Sequence, residues 1–187
     1  MSYKISSFVF SILTLFTITL VLSGCGTDPE AVIESQDYHV CEHFTDGPFS
    51  DVTAAETQSD AIARADSTPG FVIQHLPHTV YRVALNDRND HFDGYVVFYP
   101  TATEVDTHDY VIYMDKSVAP VIYDVSDSNR VITPEMETTT VAECHLIRYK
   151  AIVEFTTGHE YALYLNSDTN EQISMIIPAL EDDVHDH

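Results

Sequence analysis

The chain has few basic residues. Its 187 residues include eight Lys and Arg against thirty Asp and Glu, which gives a formal net charge of −22 at pH 7. No run of Lys and Arg along the sequence offsets this charge. An acidic field repels nucleic acid and anionic lipid head groups and attracts cations, so nucleic acid is excluded as a partner. An acid-rich surface also keeps an exported protein soluble, and we attribute most of the charge to that role.

Sequence motifs of catalysis are missing as well. The chain contains no Gly-x-Ser-x-Gly elbow, no His-Glu-x-x-His, no glycine-rich phosphate loop and no Cys-x-x-Cys-His haem site. No segment repeats with the period of about 20 to 50 residues that is typical of solenoids and propellers, so these folds are excluded. We therefore expect a protein that is not an enzyme.

Tryptophan is absent, and the aromatic residues are eleven Tyr and nine Phe. Tyr is common in strands, so we infer no carbohydrate-binding platform from these residues. After residue 70, short apolar and β-branched runs recur between turn signals, and several alternate as a half-buried strand does. This pattern predicts an all-β domain, an antiparallel β-sandwich of jelly-roll or Ig-like type with seven to eight strands. The predicted strands are 71–74, 79–85, 94–99, 110–114, 119–125, 145–155, 161–165 and 172–177.

Before residue 70 the pattern is mixed. Residues 26–36 are acidic and polar without periodicity, which predicts a tether that reaches at most about 35–40 Å when extended. The folded domain is expected to begin at Asp37. Residues 49–53 alternate like a strand, whereas the alanines between 54 and 63 favour a short helix, and the sequence leaves the choice open.

The N-terminus has the features of a targeting signal. Lys4 precedes an apolar run from residue 8 to residue 22, and Leu22-Ser23-Gly24-Cys25 follows. This arrangement resembles the signal peptide and lipobox of a bacterial lipoprotein, which implies an N-terminal signal helix, cleavage before Cys25 and acylation of its thiol and amine. An uncleaved membrane helix is disfavoured, because Ser, Thr and Gly interrupt the run and an acidic segment follows.

The resemblance to lipoproteins also implies a membrane and a domain plan. Gly26 and Thr27 follow the lipidated cysteine, with no Asp directly after it, which favours the outer membrane, on its periplasmic or surface face. The lipid bilayer is then a partner through acylated Cys25. The expected organisation is a signal peptide at 1–24, a lipidated tether at 25–36, a β-sandwich domain at 37–180 and an acidic, histidine-bearing tail at 181–187.

The chain has only three cysteines. If acylation uses Cys25, then Cys41 and Cys144 remain as an even pair in an oxidising compartment, and we expect a disulfide between them. Such a bond would contribute about 4–5 kcal/mol in the chain-entropy account. The alternative is that Cys41 is a free thiolate that binds metal beside His43.

Two further resemblances concern the folded domain. The order of strand-like pieces from residue 80 onward, with 109–114, 121–125 and 155–164 among them, is similar to bacterial pre-peptidase C-terminal domains. That likeness implies an accessory or binding module and carries no catalytic residue. The start Cys41-Glu42-His43-Phe44 with Gly47-Pro48 is similar to uncharacterised bacterial lipoproteins and implies no activity.

Histidine is the residue type that could carry chemistry, with ten in the chain. His43, the pair His75 and His78, and the terminal pair His185 and His187 are candidate ligands for Zn or Cu, because neutral imidazoles suit these metals. Pro77 would have to force a turn for His75 and His78 to converge. The alternative is that these side chains are exposed loop residues without a ligand.

Calcium is a weaker candidate ion. The segment 87–94 places three Asp and one Asn in a single loop, an oxygen-rich composition that hard cations prefer. It departs from the helical calcium loop, because no Gly stands at its sixth position and no Glu closes it. An ordinary solvated hairpin loop is the preferred interpretation.

Two functions of different classes remain open. The first is a membrane-anchored, exported lipoprotein that binds a transition metal through the five histidines. The second is a structural module whose sandwich docks to a protein partner and whose histidines are incidental. Metal content of the purified, untagged protein distinguishes the two.

Overall fold

A computed structural model of the chain describes residues 29–67, 72–74, 78–100, 107–142 and 144–180. These residues are mostly β-structure, with two helices and twelve strands among them. The elements are α1 Pro29–Asp46, β1 Phe49–Thr53, α2 Gln58–Ser67, β2 Val72–Gln74, β3 Val80–Ala84, β4 Asn86–Asp87, β5 Phe92–Tyr99, β6 Thr107–Met114, β7 Val121–Asp124, β8 Arg130–Ile132, β9 Met136–Thr138, β10 Tyr149–Thr156, β11 Tyr161–Ser167 and β12 Gln172–Ile176.

The strands form two sheets. Sheet one has the order β1-β3-β12-β6-β10-β9, and sheet two has the order β2-β5-β11-β7-β8, with β4 paired to β5. All eight predicted runs contain a strand, but four short strands, β1, β4, β8 and β9, raise the number above the expected seven to eight. The expectation of purely antiparallel sheets is wrong, because β1 pairs with β3 and β2 pairs with β5 in parallel.

The parallel pairs arise from long connections. The chain leaves β1, forms α2 and β2, and only then returns as β3 beside β1. A parallel neighbour requires a crossover of this kind, whereas a tight turn can only produce an antiparallel one. The other strand pairs within the described ranges are antiparallel, including the long pairs β6–β10 and β5–β11.

One hydrophobic core lies between the two sheets. Tyr110 and Phe155 come from sheet one, and Phe98 and Tyr161 come from sheet two. The ring centroids of Phe155 and Tyr161 are 4.4 Å apart, and those of Phe98 and Tyr110 are 5.5 Å apart. Burial of each such ring contributes about 1.5–3 kcal/mol, so these contacts between the sheets hold them together.

Each sheet carries a helix on its outer face. Helix α1 places Val40 and Phe44 against Val111 and Ile176 of sheet one. Helix α2 places Ala61 against Val97 of sheet two. Thr57 caps α2, because its Oγ1 accepts a hydrogen bond from the Asp60 N–H at 3.1 Å. Strand β1 and helix α2 therefore both form, which resolves the alternatives that the sequence left open for this region.

Helix α1 differs from the expected tether. It begins at Pro29, so residues 29–36 are helical rather than extended. Pro is favoured in the first turn of a helix, where its missing N–H has no intrahelical partner to lose. The side chain of Gln36 is buried, and its Nε2 donates a hydrogen bond to the Ala179 carbonyl oxygen at 2.9 Å. The end of the expected tether is thus packed onto the domain.

Neither helix in the described ranges combines the length and the hydrophobicity that are required to cross a bilayer. The predicted signal peptide at 1–24 and the predicted tail at 181–187 lie outside the residues that the structure describes.

Candidate functional site

The candidate site lies where α1 ends. The N–H of Gly47 donates a hydrogen bond to the His43 carbonyl oxygen at 2.9 Å, and Gly47 has a φ of 80°, which only glycine adopts readily. A Cβ at Gly47 would lie 2.8 Å from the Phe49 ring. Glycine is therefore needed at this position, and the helix ends with His43 in its last turn.

A second histidine is brought to His43 from another part of the chain. The N–H of Val80 donates a hydrogen bond to the Pro48 carbonyl oxygen at 2.9 Å, and Phe49 is opposite Val80 in the parallel β1–β3 pair. These contacts hold the start of β3 against the end of α1. His78 precedes β3 by two residues, so the same contacts place its side chain beside His43.

The two imidazoles, here called the histidine pair, are in direct contact. The Nδ1 of His78 lies 2.8 Å from the Nε2 of His43. The ring centroids are 4.8 Å apart, and the ring planes meet at 62°. The side chain of His43 is half-buried and that of His78 is exposed. The pair is thus accessible to solvent while one of its members is fixed by the fold.

The hydrogen bond of His43 to the backbone determines its tautomer. Its Nδ1 lies 3.2 Å from the Gly47 carbonyl oxygen, which can only accept a hydrogen bond. In the neutral ring Nδ1 therefore carries the proton, and the lone pair of Nε2 points toward His78. Histidines that bind metals commonly donate their other ring N–H to a backbone carbonyl in this way, which fixes the orientation of the ligand.

The distance in the histidine pair is close to that of two ligands on one metal ion. Tetrahedral zinc holds imidazole nitrogens at about 2.0–2.1 Å, which places two of them about 3.3 Å apart. An opening of the pair by about 0.5 Å would meet this requirement. His78 would then carry its proton on Nε2 and present Nδ1 to the metal.

The described residues supply two candidate ligands and not a complete metal site. Within those ranges, no group of three His, Cys, Asp or Glu side chains could hold a metal ion. The three other predicted ligands, His75, His185 and His187, lie outside the residues that the structure describes. The structure thus brings together two of the five predicted ligands.

The predicted disulfide is present between Cys41 and Cys144. Their Cα atoms are 5.6 Å apart, and the two residues are separated by 103 positions in the sequence. The bond joins the middle of α1 to the segment that precedes β10. The alternative of a free Cys41 thiolate as a metal ligand is wrong, because a sulfur atom in a disulfide has no thiolate to offer.

A buried ion pair anchors the first half of α1. The Nζ of Lys150 lies 2.5 Å from Oδ1 of Asp37, and the hydroxyl of Tyr113 donates to the same oxygen at 2.7 Å. Lys150 and Asp37 are 3% and 8% exposed. The Lys150 ammonium also lies 5.5 Å from the centre of the Tyr113 ring. Together with the disulfide, this group fixes the helix that carries His43.

The other histidines with described contacts have carboxylate neighbours. His159 Nδ1 lies 3.0 Å from the buried carboxylate of Asp124. His91 Nδ1 lies 2.7 Å from Asp90 Oδ1, and that hydrogen bond raises the pKa of His91 above its usual value. His39 lies 3.9 Å from Glu42.

Within the loop at 87–94, an arginine is paired with one of the aspartates. Arg88 Nε donates a hydrogen bond to Asp93 Oδ1 at 2.7 Å, and the hydroxyl of Tyr164 donates to Asp93 Oδ2 at 3.1 Å. Burial raises the pKa of Asp93, but the hydrogen bonds from Arg88 and Tyr164, with the charges of Arg88 and His91, together lower it. Arg88 therefore offsets the charge of Asp93.

No protein-family model matches this sequence, and no curated protein matches it either. The case for function therefore rests on the geometry of the histidine pair.

Proposed function

We propose that the protein is a membrane-anchored, exported lipoprotein that binds a transition metal, zinc or copper, with His43 and His78 as its scaffold-held ligands. The observation that carries the proposal is the 2.8 Å distance between His43 Nε2 and His78 Nδ1. The hydrogen bond from His43 Nδ1 to Gly47 supports it, because this bond leaves the lone pair of Nε2 available. The net charge of −22 favours capture of a cation.

The C-terminal tail is the proposed source of further ligands. Ala179 contacts Gln36 on α1, and His43 follows Gln36 by seven residues, about 10 Å along the helix. His185 follows Leu180 by five residues, which span up to about 17 Å when extended. The chain is therefore long enough to bring His185 and His187 to the histidine pair. His75, three residues before His78, is the other proposed ligand.

The proposal also states that the domain is a β-sandwich and that the protein is not an enzyme. Two sheets that share one aromatic core support a β-sandwich of jelly-roll or Ig-like type. Sandwiches of this type serve as accessory or binding modules in the family that the sequence resembles. A non-catalytic role in binding and passing on a metal ion is consistent with that resemblance.

Loss of either member of the histidine pair should weaken metal binding. We expect His43→Ala and His78→Ala each to reduce the affinity for Zn²⁺ or Cu²⁺ by about tenfold or more, and deletion of 181–187 to reduce it by about ten- to a hundredfold. The measurement is calorimetry on the mature protein without a tag. His91→Ala is the matched control, because His91 lies in the β4–β5 turn, and its affinity should remain within about twofold of the parent.

One outcome would reject the structured site. If His43→Ala and His78→Ala bind as the parent does while the tail deletion abolishes binding, the tail is only a weak cation trap. The interaction module with incidental histidines then becomes the leading function. In that case the purified protein should contain no more metal than a protein poor in histidine.

Anchoring is tested independently of the metal. Because Cys25 is the proposed acylation site, Cys25→Ser should move the protein from the membrane fraction to the soluble fraction, since a single cleaved chain without lipid has no anchor. Thermal unfolding of the released protein should match that of the detergent-solubilised parent. A Cys25→Ser protein that stays in the membrane fraction after fractionation without detergent would contradict the proposal.

A further inference from the structure

One basic side chain differs from the others in having no hydrogen bond or ion pair with the described residues. In the described part of the chain, five of them lie within hydrogen-bond or ion-pair distance of a carboxylate: Arg82, Arg88, Lys116, Arg130 and Lys150. A sixth, Arg64, also has a contact. The guanidinium of Arg148 has no hydrogen bond and no ion pair with any residue within those ranges. In so acidic a protein, an arginine without a carboxylate partner is unexpected.

Arg148 lines a cavity together with other basic side chains. The cavity has a volume of about 300 Å³, and Lys116 and His145 share its wall with Arg148. We call this site the basic cavity. The remaining lining residues are Phe44, Asp115, Leu146 and Ser174. Its volume is at the lower end of the range for sites that bind small molecules.

The one acidic side chain of the basic cavity is occupied by its neighbours. Asp115 Oδ1 accepts a hydrogen bond from the Ser174 N–H at 2.8 Å, and Asp115 Oδ2 lies 3.2 Å from Lys116 Nζ. Asp115 therefore offsets Lys116, and no carboxylate in the described ranges forms an ion pair with Arg148. The cavity is locally positive within a protein whose overall field repels anions.

The fold holds the walls of the basic cavity in place. The backbone N–H of Arg148 donates a hydrogen bond to the Met114 carbonyl oxygen at 2.8 Å, which joins the start of β10 to the end of β6. His145 directly follows Cys144, and the disulfide fixes Cys144 to Cys41 on α1, one turn before Phe44. With Ser174 of β12, four separate segments of the chain thus meet at one preformed site.

We propose that the basic cavity binds a small organic anion, with its carboxylate or phosphate group on Arg148 and its apolar part against Phe44 and Leu146. The planar guanidinium offers paired N–H donors that match both oxyanions, and its charge is the one that Asp115 does not offset. Phe44 and Leu146 give the site an apolar wall that a bare inorganic ion would leave uncovered. This inference does not depend on the histidine pair or on metal.

Ligand titrations followed by nitrogen-edited NMR test the proposal. The probes are acetate, phenylacetate, inorganic phosphate and phenyl phosphate, each titrated into the disulfide-bonded mature protein. We expect saturable shifts at Leu146 and Arg148 in the millimolar range or below, with each phenyl compound bound more tightly than its small counterpart. The ranking of phenylacetate and phenyl phosphate identifies the preferred head group.

Variants separate binding at the cavity from general charge effects. Arg148→Gln should weaken phenyl anion binding by about tenfold or more, the size expected for loss of a charge-assisted hydrogen bond. Its fold should be unaffected, because the exposed guanidinium has no hydrogen bond or ion pair within the described residues. Arg82→Gln removes one charge elsewhere and should leave the affinity within about twofold. Absence of saturable shifts in the parent, or equal losses in the two variants, would overturn the proposal.

Discussion

Replacement of Lys150 by Met is expected to lower the free energy of unfolding by about 3–5 kcal/mol, the usual effect of leaving a buried charge without its partner. Lys150 is 3% exposed and is the only cation within 4 Å of Asp37 among the described residues. After the substitution, the Asp37 carboxylate would keep only the hydrogen bond from Tyr113. Helix α1 would then have to bring an unpaired charge onto sheet one.

Urea unfolding at equilibrium measures this effect. The double variant Asp37→Leu with Lys150→Met should recover most of the loss, because it buries apolar groups in place of both charges. Lys116→Met removes a lysine whose ion pair with Asp115 is partly exposed, and it should change the free energy by less than about 1 kcal/mol. A Lys150→Met protein as stable as the parent would show that the ion pair does not hold α1 in place.

Loss of the disulfide is expected to have an effect of similar size. Cys41 and Cys144 are 103 positions apart, and closing a loop of that length in the unfolded chain corresponds to about 4–5 kcal/mol in the chain-entropy account. The variant is Cys41→Ala with Cys144→Ala, in a Cys25→Ser background that removes the remaining thiol. Its free energy of unfolding should fall by about that amount relative to the Cys25→Ser protein.

Reductant provides the matched control for the disulfide. The Cys25→Ser protein should lose stability on reduction, whereas the variant without Cys41 and Cys144 should not respond. Under denaturing, non-reducing conditions after an acid quench, the Cys25→Ser protein should contain no free thiol. Two titratable thiols in that assay would contradict the bond that the structure contains.

Much of the sheet structure could be predicted because its strands alternate. Strands β3 and β11 show the period of two that a strand with one buried face requires. Strands β8 and β9 have three residues each and are largely exposed, so they lack a pattern that a sequence could reveal. The parallel pairs were also not predictable, since pairing depends on the path of the chain between strands and not on local periodicity.

Helix α1 was not predicted because its stability comes from distant residues. Few apolar side chains, among them Val40 and Phe44, mark its buried face. The ion pair between Asp37 and Lys150 joins residues 113 positions apart. A helix held by contacts of this kind is a property of tertiary packing, and local sequence carries little sign of it.

The sequence named the two histidines of the candidate site but did not predict their geometry. His43 and His78 were both named from the abundance of histidine. They are 35 positions apart in the sequence, and their contact depends on the β1–β3 pairing. Gly47 was noted only as part of the resemblance to other lipoproteins, although its carbonyl orients His43. The basic cavity has no signal along the chain, because Lys116 and Arg148 come from strand ends that meet only in the fold.

Helix α1 also sets how far the histidine pair can lie from a bilayer. If Cys25 carries a lipid, only residues 26–28 separate it from the start of α1 at Pro29, and this gap spans at most about 14 Å. The helix then rises about 20 Å from Pro29 to His43. The connection between the lipid and the protein would therefore be short, and the helix that follows it would be rigid. The histidine pair would then lie within roughly 35 Å of the membrane, and under the proposed function a protein that exchanges metal with it would have to come that close.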